Sequence, residues 1–298
     1  MTGLIVKAIA GFYYCSTGTG VYECRARGVF RNESISPLVG DRVEFTPEVG
    51  GKGLVTRLLP RRNAFSRPPI ANLDRLFVVT SVKDPTPNPL VIDMLTVSCA
   101  AKQVEPVIVI TKTDLGDPQE LQHIYETAGF RVLPVSNAED SSFGMVQREL
   151  RGHICAFCGN TGVGKSSLLN HLAPDLQLET AQISRKLGRG RHTTRHVELY
   201  YLEDLDAYVA DTPGFGALAF TGQEFIRKED LASCFREFAP YEGKCRFTGC
   251  SHTAEKGCAV LQARDEGSIP YSRWESYVSM YREAEKWKDW QLKKKEQP

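Results

Sequence analysis

The sequence predicts a multidomain protein with an N-terminal β-barrel, a central α/β domain and a mostly helical C-terminal part. Short β-like runs separated by turn residues fill the first 65 positions. Strand-like and helix-like segments alternate from about residue 72, and cysteines cluster in the helical region after residue 222. A chain of 298 residues is too long for one small core. We therefore expect domains at residues 1–68, 69–222 and 223–298.

The N-terminal region has the pattern of a small barrel. Its β-like runs Val21–Arg27, Asp41–Phe45 and Gly53–Leu58 are separated by glycine and proline turns. A five-stranded oligonucleotide-binding barrel (OB-fold) fits this length. Residues 1–68 carry ten Lys/Arg and five Asp/Glu, although the whole chain has a net charge of only +1. This asymmetry indicates a polyanionic partner. We interpret residues 60–69, which are rich in proline and arginine, as a linker.

The central region alternates between apolar runs and helical patterns. Arg75–Thr80 and Val107–Thr111 are continuous apolar runs, as expected of strands buried on both faces. Apolar residues at helical spacing lie between them, at Val91–Gln103. A second helix should begin at Asp117-Pro118 and end at Gly129. Further strands are predicted at Arg131–Val135, Ile154–Phe157 and Ala207–Ala210. The alternation predicts a parallel α/β sheet.

A phosphate-binding P-loop follows the predicted strand that ends at Phe157. Its sequence is GNTGVGKS, and its glycines allow backbone N–H groups to surround phosphates. Lys165 is placed to reach the β- and γ-phosphates, and Ser166 to ligate Mg²⁺. The helical residues that follow place a helix N-terminus under the anion. The predicted nucleotide contacts here are Gly159, Asn160, Thr161, Gly162, Val163, Gly164, Lys165, Ser166 and Ser167.

A guanine-reading motif follows another buried strand. In Thr111-Lys112-Thr113-Asp114, the Asp114 carboxylate can accept both the N1–H and N2–H₂ donors of guanine, and the Lys112 stem can cover the base. Adenine lacks this donor pair and would leave the carboxylate unpaired. GTPases often have Asn at the first position, where this chain has Thr111. The predicted contacts on the base side are Thr111, Lys112, Asp114, Leu115, Ser136 and Asn137.

The order of the motifs is permuted relative to the usual GTPase order. Asp211-Thr212-Pro213-Gly214 follows a predicted strand, so Asp211 can hold Mg²⁺ and the Gly214 N–H can meet the γ-phosphate. The basic segment before it contains a threonine pair, and Thr193 or Thr194 can act as the switch residue that closes on the metal. We predict Ser166, Thr194 and Asp211 as the Mg²⁺ ligands. Because the guanine motif precedes the P-loop, the sequence predicts a circularly permuted P-loop GTPase domain.

The residue after this motif is Phe215, where many GTPases have a glutamine that positions water. An apolar side chain cannot orient water, so another group must do so, or intrinsic hydrolysis will be slow. His192, just before the threonine pair, is the candidate catalytic group together with Lys165. The alternative is a loop histidine without a catalytic role.

A cysteine–histidine cluster predicts one structural zinc ion. Cys245, Cys250, His252 and Cys258 supply three thiolates and one imidazole, which tetrahedral Zn²⁺ readily accepts. Unrelated reduced cysteines are the alternative. Nine cysteines cannot all pair within one chain, and no secretory leader is evident, which favours a reducing cytosol. We interpret Cys155 and Cys158 as packing residues.

Together these motifs resemble one known family, the circularly permuted GTPases of the RsgA/YjeQ/YloQ type. The resemblance covers nearly the whole chain and rests on PLVGDRV (37–43), ITKTDL (110–115), GNTGVGKSSLLN (159–170), GRGRHTTRHVEL (188–199), DTPGF (211–215) and the cysteine–histidine cluster. It implies an OB-fold barrel, a permuted GTPase domain and a zinc-binding domain. It further implies GTP hydrolysis to GDP and phosphate, stimulated by the small (30S) ribosomal subunit, as a late checkpoint in its maturation. His192 matches the family's proposed catalytic histidine.

The expected partners are GTP and GDP, the 30S subunit and its 16S rRNA, with no membrane partner. We expect a cytoplasmic monomer. Two other functions fit some of the same features. A P-loop ATPase or small-molecule kinase would have no use for Asp114, and an RNA-binding scaffold that does not turn over nucleotide is consistent with Phe215.

Overall fold

The computed structural model describes residues 1–26, 36–136, 142–173, 197–211 and 226–286, and of Asp211 only the backbone. The strands in these residues are β1 (Thr2–Ile9), β2 (Phe12–Thr17), β3 (Gly20–Ala26), β4 (Arg42–Glu48), β5 (Lys52–Leu58), β6 (Ala64–Ser66), β7 (Pro69–Ala71), β8 (Arg75–Ser81), β9 (Glu105–Thr111), β10 (Arg131–Pro134), β11 (Ile154–Cys158), β12 (Glu198–Leu202) and β13 (Ala207–Asp211). The α-helices are α1 (Pro89–Ala101), α2 (Gln119–Thr127), α3 (Phe143–Leu150), α4 (Lys165–Leu172), α5 (Lys228–Leu231), α6 (Ala259–Asp265) and α7 (Tyr271–Glu285). None of these helices is both long and apolar enough to cross a bilayer.

The first five strands form a closed barrel. They are hydrogen-bonded in the order β1-β2-β3-β5-β4, and β4 pairs again with β1. The β3–β5 pair is parallel and the others are antiparallel. Alternate apolar residues such as Ile5, Val43 and Val55 are fully buried inside. The predicted five-stranded barrel is confirmed, and its closure removes the free strand edges that promote aggregation.

The segment predicted as a linker is instead a packed part of the fold. Strands β6 and β7 pair as a hairpin, and Phe65 and Ile70 are buried in the same core as the barrel residues. The Asn63 side chain donates to the Leu73 carbonyl and accepts from the Leu73 N–H, both at 2.9 Å. Proline-rich composition suggested a linker, but these buried contacts fix the segment in place. The predicted boundary after residue 68 lies between β6 and β7.

The central sheet has the order β10-β9-β8-β11-β13-β12. All neighbours are parallel except β12, which runs antiparallel to β13 and was not predicted from the sequence. The continuous apolar runs are buried as predicted. Helix α1 begins two residues before the prediction, because Asn88 caps it by accepting from the Val91 N–H and Pro89 occupies its first turn.

The C-terminal unit, described over residues 226–286, packs against helix α1 through a buried ion cluster. Arg273 of α7 is fully buried and donates to Asp93 of α1 and to Glu237, each at 2.6 Å. Burial alone would lower the pKa of Arg273, but these two carboxylates outweigh it and raise that pKa. Arg236 adds a second contact by donating to the Gly129 carbonyl at 3.1 Å. The unit is therefore docked on the central domain through charged groups that must remain paired.

Candidate nucleotide and zinc sites

The P-loop lies between β11 and α4, in the predicted strand–loop–helix context. Gly159 has φ of +144°, and a Cβ there would lie 2.0 Å from the Val79 carbonyl oxygen. Only glycine permits this close approach to strand β8. Gly164, with φ of +93°, directly precedes helix α4. The loop thus turns sharply and leaves the free N–H groups of the α4 N-terminus available to an anion.

Lys165 lies over the P-loop. Its Nζ donates to the carbonyl oxygens of Gly159 and Asn160, at 2.8 and 2.7 Å. Burial lowers the pKa of this lysine. Ser166 and Ser167 follow in the first turn of α4 and are half-buried. The Lys165 ammonium group and the N-terminus of α4 therefore face the same loop, and both attract phosphate groups.

The cysteines before the P-loop are packing residues. Cys155 contributes to the core on one face of the sheet and Cys158 to the core on the other face. Two thiols on opposite faces of one strand cannot form a disulfide. Burial raises the pKa of both thiols, so both stay protonated. The interpretation of this pair as packing rather than redox residues agrees with the structure.

Thr111 joins the predicted guanine motif to the P-loop. Its buried hydroxyl lies 2.5 Å from the carbonyl oxygen of Val163 and 3.0 Å from that of Thr80. One hydroxyl hydrogen is shared between these two acceptors. Thr111 therefore supports the P-loop from the end of β9, a role that the sequence motif alone did not indicate. Its contact with nucleotide remains a prediction.

The residues predicted to read the base also come together. Ser136, just after β10, donates its hydroxyl to Asp114 Oδ1 at 3.1 Å. Asp114 and Leu115 are exposed, so both are accessible to a ligand. Lys112 is in the left-handed region, with φ of +58°, and its Nζ donates to the Asp84 carbonyl oxygen.

Sequence reasoning overlooked the loop between β8 and α1. It contributes the Asp84 carbonyl that receives Lys112, and the Ser81 hydroxyl donates to the Pro85 carbonyl at 2.9 Å. A small cavity separates this loop and the start of α1 from the P-loop residues Gly159 and Asn160. Three prolines within five residues (PTPNP, 85–89) were the available signal. They favour a fixed loop over a flexible one.

The predicted Mg²⁺ ligands are described in part. Asp211 ends β13, which runs parallel to β11 with Ala156 opposite Ala210. The carboxyl ends of both strands therefore lie side by side, next to the P-loop that carries Ser166. Several predicted site residues lie outside the described residues, namely Asn137, His192, Thr193, Thr194 and Gly214, and so does Phe215.

The four predicted zinc ligands form one compact cluster. All of their ligand atoms lie within 4.8 Å of one another. The Cys245 and Cys258 sulfurs are 3.8 Å apart, and His252 Nδ1 lies 3.6 Å from the first and 3.3 Å from the second. Zn–S bonds of about 2.3 Å in a tetrahedron put two sulfurs about 3.8 Å apart. The donor set therefore fits Zn²⁺.

The surroundings of the cluster hold it in shape. Trp274 Nε1 donates to the His252 carbonyl oxygen at 2.9 Å, and the Tyr277 hydroxyl donates to that of Ser251 at 2.8 Å. These two aromatic residues of α7 thus pack on the cluster. Burial lowers the pKa of His252, which favours the neutral imidazole that a metal requires.

Comparisons with known proteins identify the family. The family model described as "RsgA GTPase" matches residues 58–221, and "RsgA N-terminal domain" matches residues 2–55. The chain is 44% identical over 288 residues to the small ribosomal subunit biogenesis GTPase RsgA of Halalkalibacterium halodurans, covering 95% of this chain and 96% of that protein. This chain belongs to the RsgA GTPase family. Its enzymatic activity is GTP hydrolysis, as the guanine motif and the P-loop predicted.

Other RsgA relatives and solved structures agree in fold. The RsgA of Caldanaerobacter subterraneus subsp. tengcongensis is 41% identical over 285 residues, covering 95% of each chain. The crystal structure of YjeQ from Thermotoga maritima superposes with a TM-score of 0.81 at 32% identity, covering 96% of this chain and 99% of that one. The crystal structure of YloQ, described as a circularly permuted GTPase, superposes with a TM-score of 0.78 at 33% identity, covering 96% of this chain and 95% of that one. The permuted RsgA fold that the motif order predicted is confirmed.

The cysteine–histidine cluster of this RsgA family member gives a direct test of the metal. We expect the purified protein to contain about one equivalent of zinc and the Cys250→Ser protein to lose most of it, because three ligands hold zinc far less tightly than four. Cys234→Ser is the matched control, since Cys234 lies in the same unit but outside the cluster, and its thiol donates to the Asp230 carbonyl oxygen. Elemental analysis of the purified proteins measures the zinc content of each. Full zinc content in Cys250→Ser would refute the ligand set.

Proposed function

We propose that this chain is a GTP-hydrolysing switch that acts late in maturation of the small (30S) ribosomal subunit and is stimulated by that subunit. One observation carries the proposal. The chain joins a guanine motif to a P-loop through the buried Thr111 hydroxyl, in a sequence 44% identical to a protein named for small ribosomal subunit biogenesis. The 16S rRNA as the contacted component, the monomeric state and the cytoplasmic location are parts of the same proposal.

The residues of the P-loop bind and orient the triphosphate. Lys165 leaves the loop carbonyls that it contacts in the structure and pairs with the β- and γ-phosphates, while the N-terminus of α4 binds the same anion. Ser166 and Asp211, with Thr193 or Thr194, would hold Mg²⁺, which supplies charge neutralisation on those phosphates. The Gly214 N–H adds a donor to the γ-phosphate.

Guanine selectivity arises at the other end of the site. Asp114 accepts the two guanine donors, and Ser136 holds that carboxylate in place. Lys112 is fixed by the Asp84 carbonyl so that its stem covers the base. Water activation falls to His192 because Phe215 has no polar group. Contact with the subunit would bring His192 to the γ-phosphate, which accounts for a dependence of hydrolysis on the subunit.

The barrel supplies the contact with RNA. Its region carries a net charge of +5, and the Arg25 guanidinium lies 5.1 Å from the Phe12 ring centroid on adjacent strands. Aromatic and arginine side chains of this kind stack on RNA bases, and the positive charge attracts phosphates. Cys245, Cys250, His252 and Cys258 would hold zinc as a structural ion of the C-terminal unit, away from the hydrolytic site.

Steady-state GTP hydrolysis with and without purified small subunits tests the proposal. We expect at least about tenfold stimulation by small subunits, equivalent to about 1.4 kcal/mol of barrier. ATP as substrate, naked RNA and large subunits should give none, and Lys165→Ala should abolish the stimulated rate. Equal stimulation by any RNA, or none by small subunits, would favour an RNA-binding scaffold in place of the switch.

A further inference from the structure

A row of directly opposed residues crosses from the barrel into the GTPase sheet. Glu23 of β3 opposes Tyr14 of β2, which opposes Lys7 of β1. Lys7 in turn opposes Glu198 of β12, and Glu198 opposes Asp211 of β13. Four strand spacings of about 4.8 Å put the two ends of this row about 19 Å apart. The row therefore ends at the residue assigned to Mg²⁺ under the proposed function.

Strand β1 is shared between the two parts of the molecule. Its first residues, Thr2–Leu4, pair with β4 inside the barrel, whereas Lys7 pairs with β12 of the GTPase sheet. The β1–β2 register shifts between Ile5 and Lys7, so β1 has one extra residue at that point. Such bulges bend a strand and redirect the side chains that follow. The bulge lies directly before Lys7, which pairs with Tyr14 of β2 on one side and with Glu198 of β12 on the other.

The two parts share one hydrophobic core, but the strand pairing between them is narrow and charged. In the described part of the chain, the strand pairing between barrel and GTPase sheet consists of the Lys7–Glu198 pair. Lys7 Nζ lies 3.0 and 2.8 Å from the two Glu198 carboxylate oxygens. On the barrel side, the Tyr14 hydroxyl donates to Glu23 at 3.2 Å. The Lys7–Glu198 pair, called the junction below, is therefore flanked on its barrel side by the Tyr14–Glu23 hydrogen bond.

We propose that Lys7 and Glu198 are positioning residues that couple the barrel to the end of β13. Five consecutive pairs join Glu198–Leu202 to Ala207–Asp211, so β12 and β13 move as one ribbon. Glu198–Asp211 is the last of these pairs, and Lys7 attaches the barrel at that end. RNA that shifts β1 therefore shifts the backbone that carries Asp211. The inference rests on the proposed function for its RNA ligand.

Charge reversal tests the coupling in the full chain. Lys7→Glu and Glu198→Lys should each lower the saturating stimulation by small subunits about fivefold, a typical coupling between sites. Basal hydrolysis should fall by a smaller factor than the stimulation, because neither residue is itself among the predicted nucleotide contacts. The double variant restores the ion pair with its charges exchanged, so it should recover the stimulation.

Arg57→Glu is the matched control. Arg57 pairs with Glu44 on the barrel and is 64% exposed, so its reversal changes the barrel charge equally without touching the junction. It should raise the subunit concentration needed for half-maximal stimulation and leave the maximum unchanged. Full maximal stimulation in both single variants, or a double variant that fails to recover it, overturns the inference.

Amide hydrogen exchange separates this inference from the proposed function. Both single variants should exchange faster than wild type in residues 197–211, by about fivefold, and the double variant should match wild type. This measurement needs neither nucleotide nor subunits. If subunits fail to stimulate even the wild-type chain, the proposed function is overturned and exchange alone decides the coupling. Unchanged exchange in the single variants overturns the coupling.

Discussion

Arg273→Met is expected to destabilise the folded chain by about 3–5 kcal/mol. The substitution removes the one guanidinium that pairs with both Asp93 and Glu237, and it leaves two carboxylates buried without a cation. The Arg273 guanidinium also lies 4.7 Å from the Phe235 ring centroid, and the substitution removes this cation–π contact as well. Urea unfolding monitored by circular dichroism gives the free energy of unfolding.

Lys286→Met is the matched control on the same helix region, because Lys286 pairs with Glu283 in an ion pair whose side chains are 69% and 61% exposed. It should cost less than about 1 kcal/mol. A variant in which Arg273, Asp93 and Glu237 are all replaced by apolar residues of similar size should recover most of the loss. A stability loss below about 1 kcal/mol for Arg273→Met alone would contradict the assignment of this cluster.

Asp114→Asn is expected to weaken GTP binding by roughly 10²- to 10⁴-fold. The asparagine loses two hydrogen bonds from guanine to a charged acceptor, each worth about 1.5–3 kcal/mol. Xanthine presents an acceptor where guanine has its amino group, so the same substitution should create a preference for xanthosine triphosphate. Equilibrium titration with fluorescent GTP and with xanthosine triphosphate measures both changes.

The matched control is Asp117→Asn, three residues away in the same exposed turn. Asp117 Oδ1 accepts from the Gln119 N–H at 2.9 Å, and asparagine caps a helix equally well. The control removes the same charge and should leave GTP binding within about twofold. Equal binding of ATP and GTP by the unmodified chain would exclude the guanine role of Asp114 and favour the ATPase or kinase alternative.

Local patterns in the sequence predicted most of the nucleotide domain. Strands β8, β9 and β11 were predictable because strands buried on both faces need uninterrupted apolar runs. The P-loop and zinc motifs were predictable because phosphates and zinc demand fixed residue types at fixed spacing. Strand β12 was missed because its five residues lie between a basic segment and a turn, and because a short strand gives a weak periodic signal.

Long-range partners had no local signal. Lys7 and Glu198 are 191 residues apart, and Thr111 and Val163 are 52 residues apart. Burial overrode composition in the β6–β7 hairpin, where prolines suggested a linker but Phe65 and Ile70 fill the core. Sequence reasoning therefore gave the chemistry of the site, and the fold gave the contacts that hold it in position.

The ion cluster at Arg273 also links the stability of α1 to the synthesis of α7. Asp93 and Arg273 are 180 residues apart, so the ribosome needs about 9–36 s to make the second after the first, at about 5–20 residues per second. Until α7 emerges, the Asp93 carboxylate in α1 has no cation. In a chain truncated before α7, the Asp93 carboxylate stays without its cation. We expect such a chain to unfold more often and to be degraded faster by proteases. Helix α7 thus stabilises only chains in which Arg273 has already been translated.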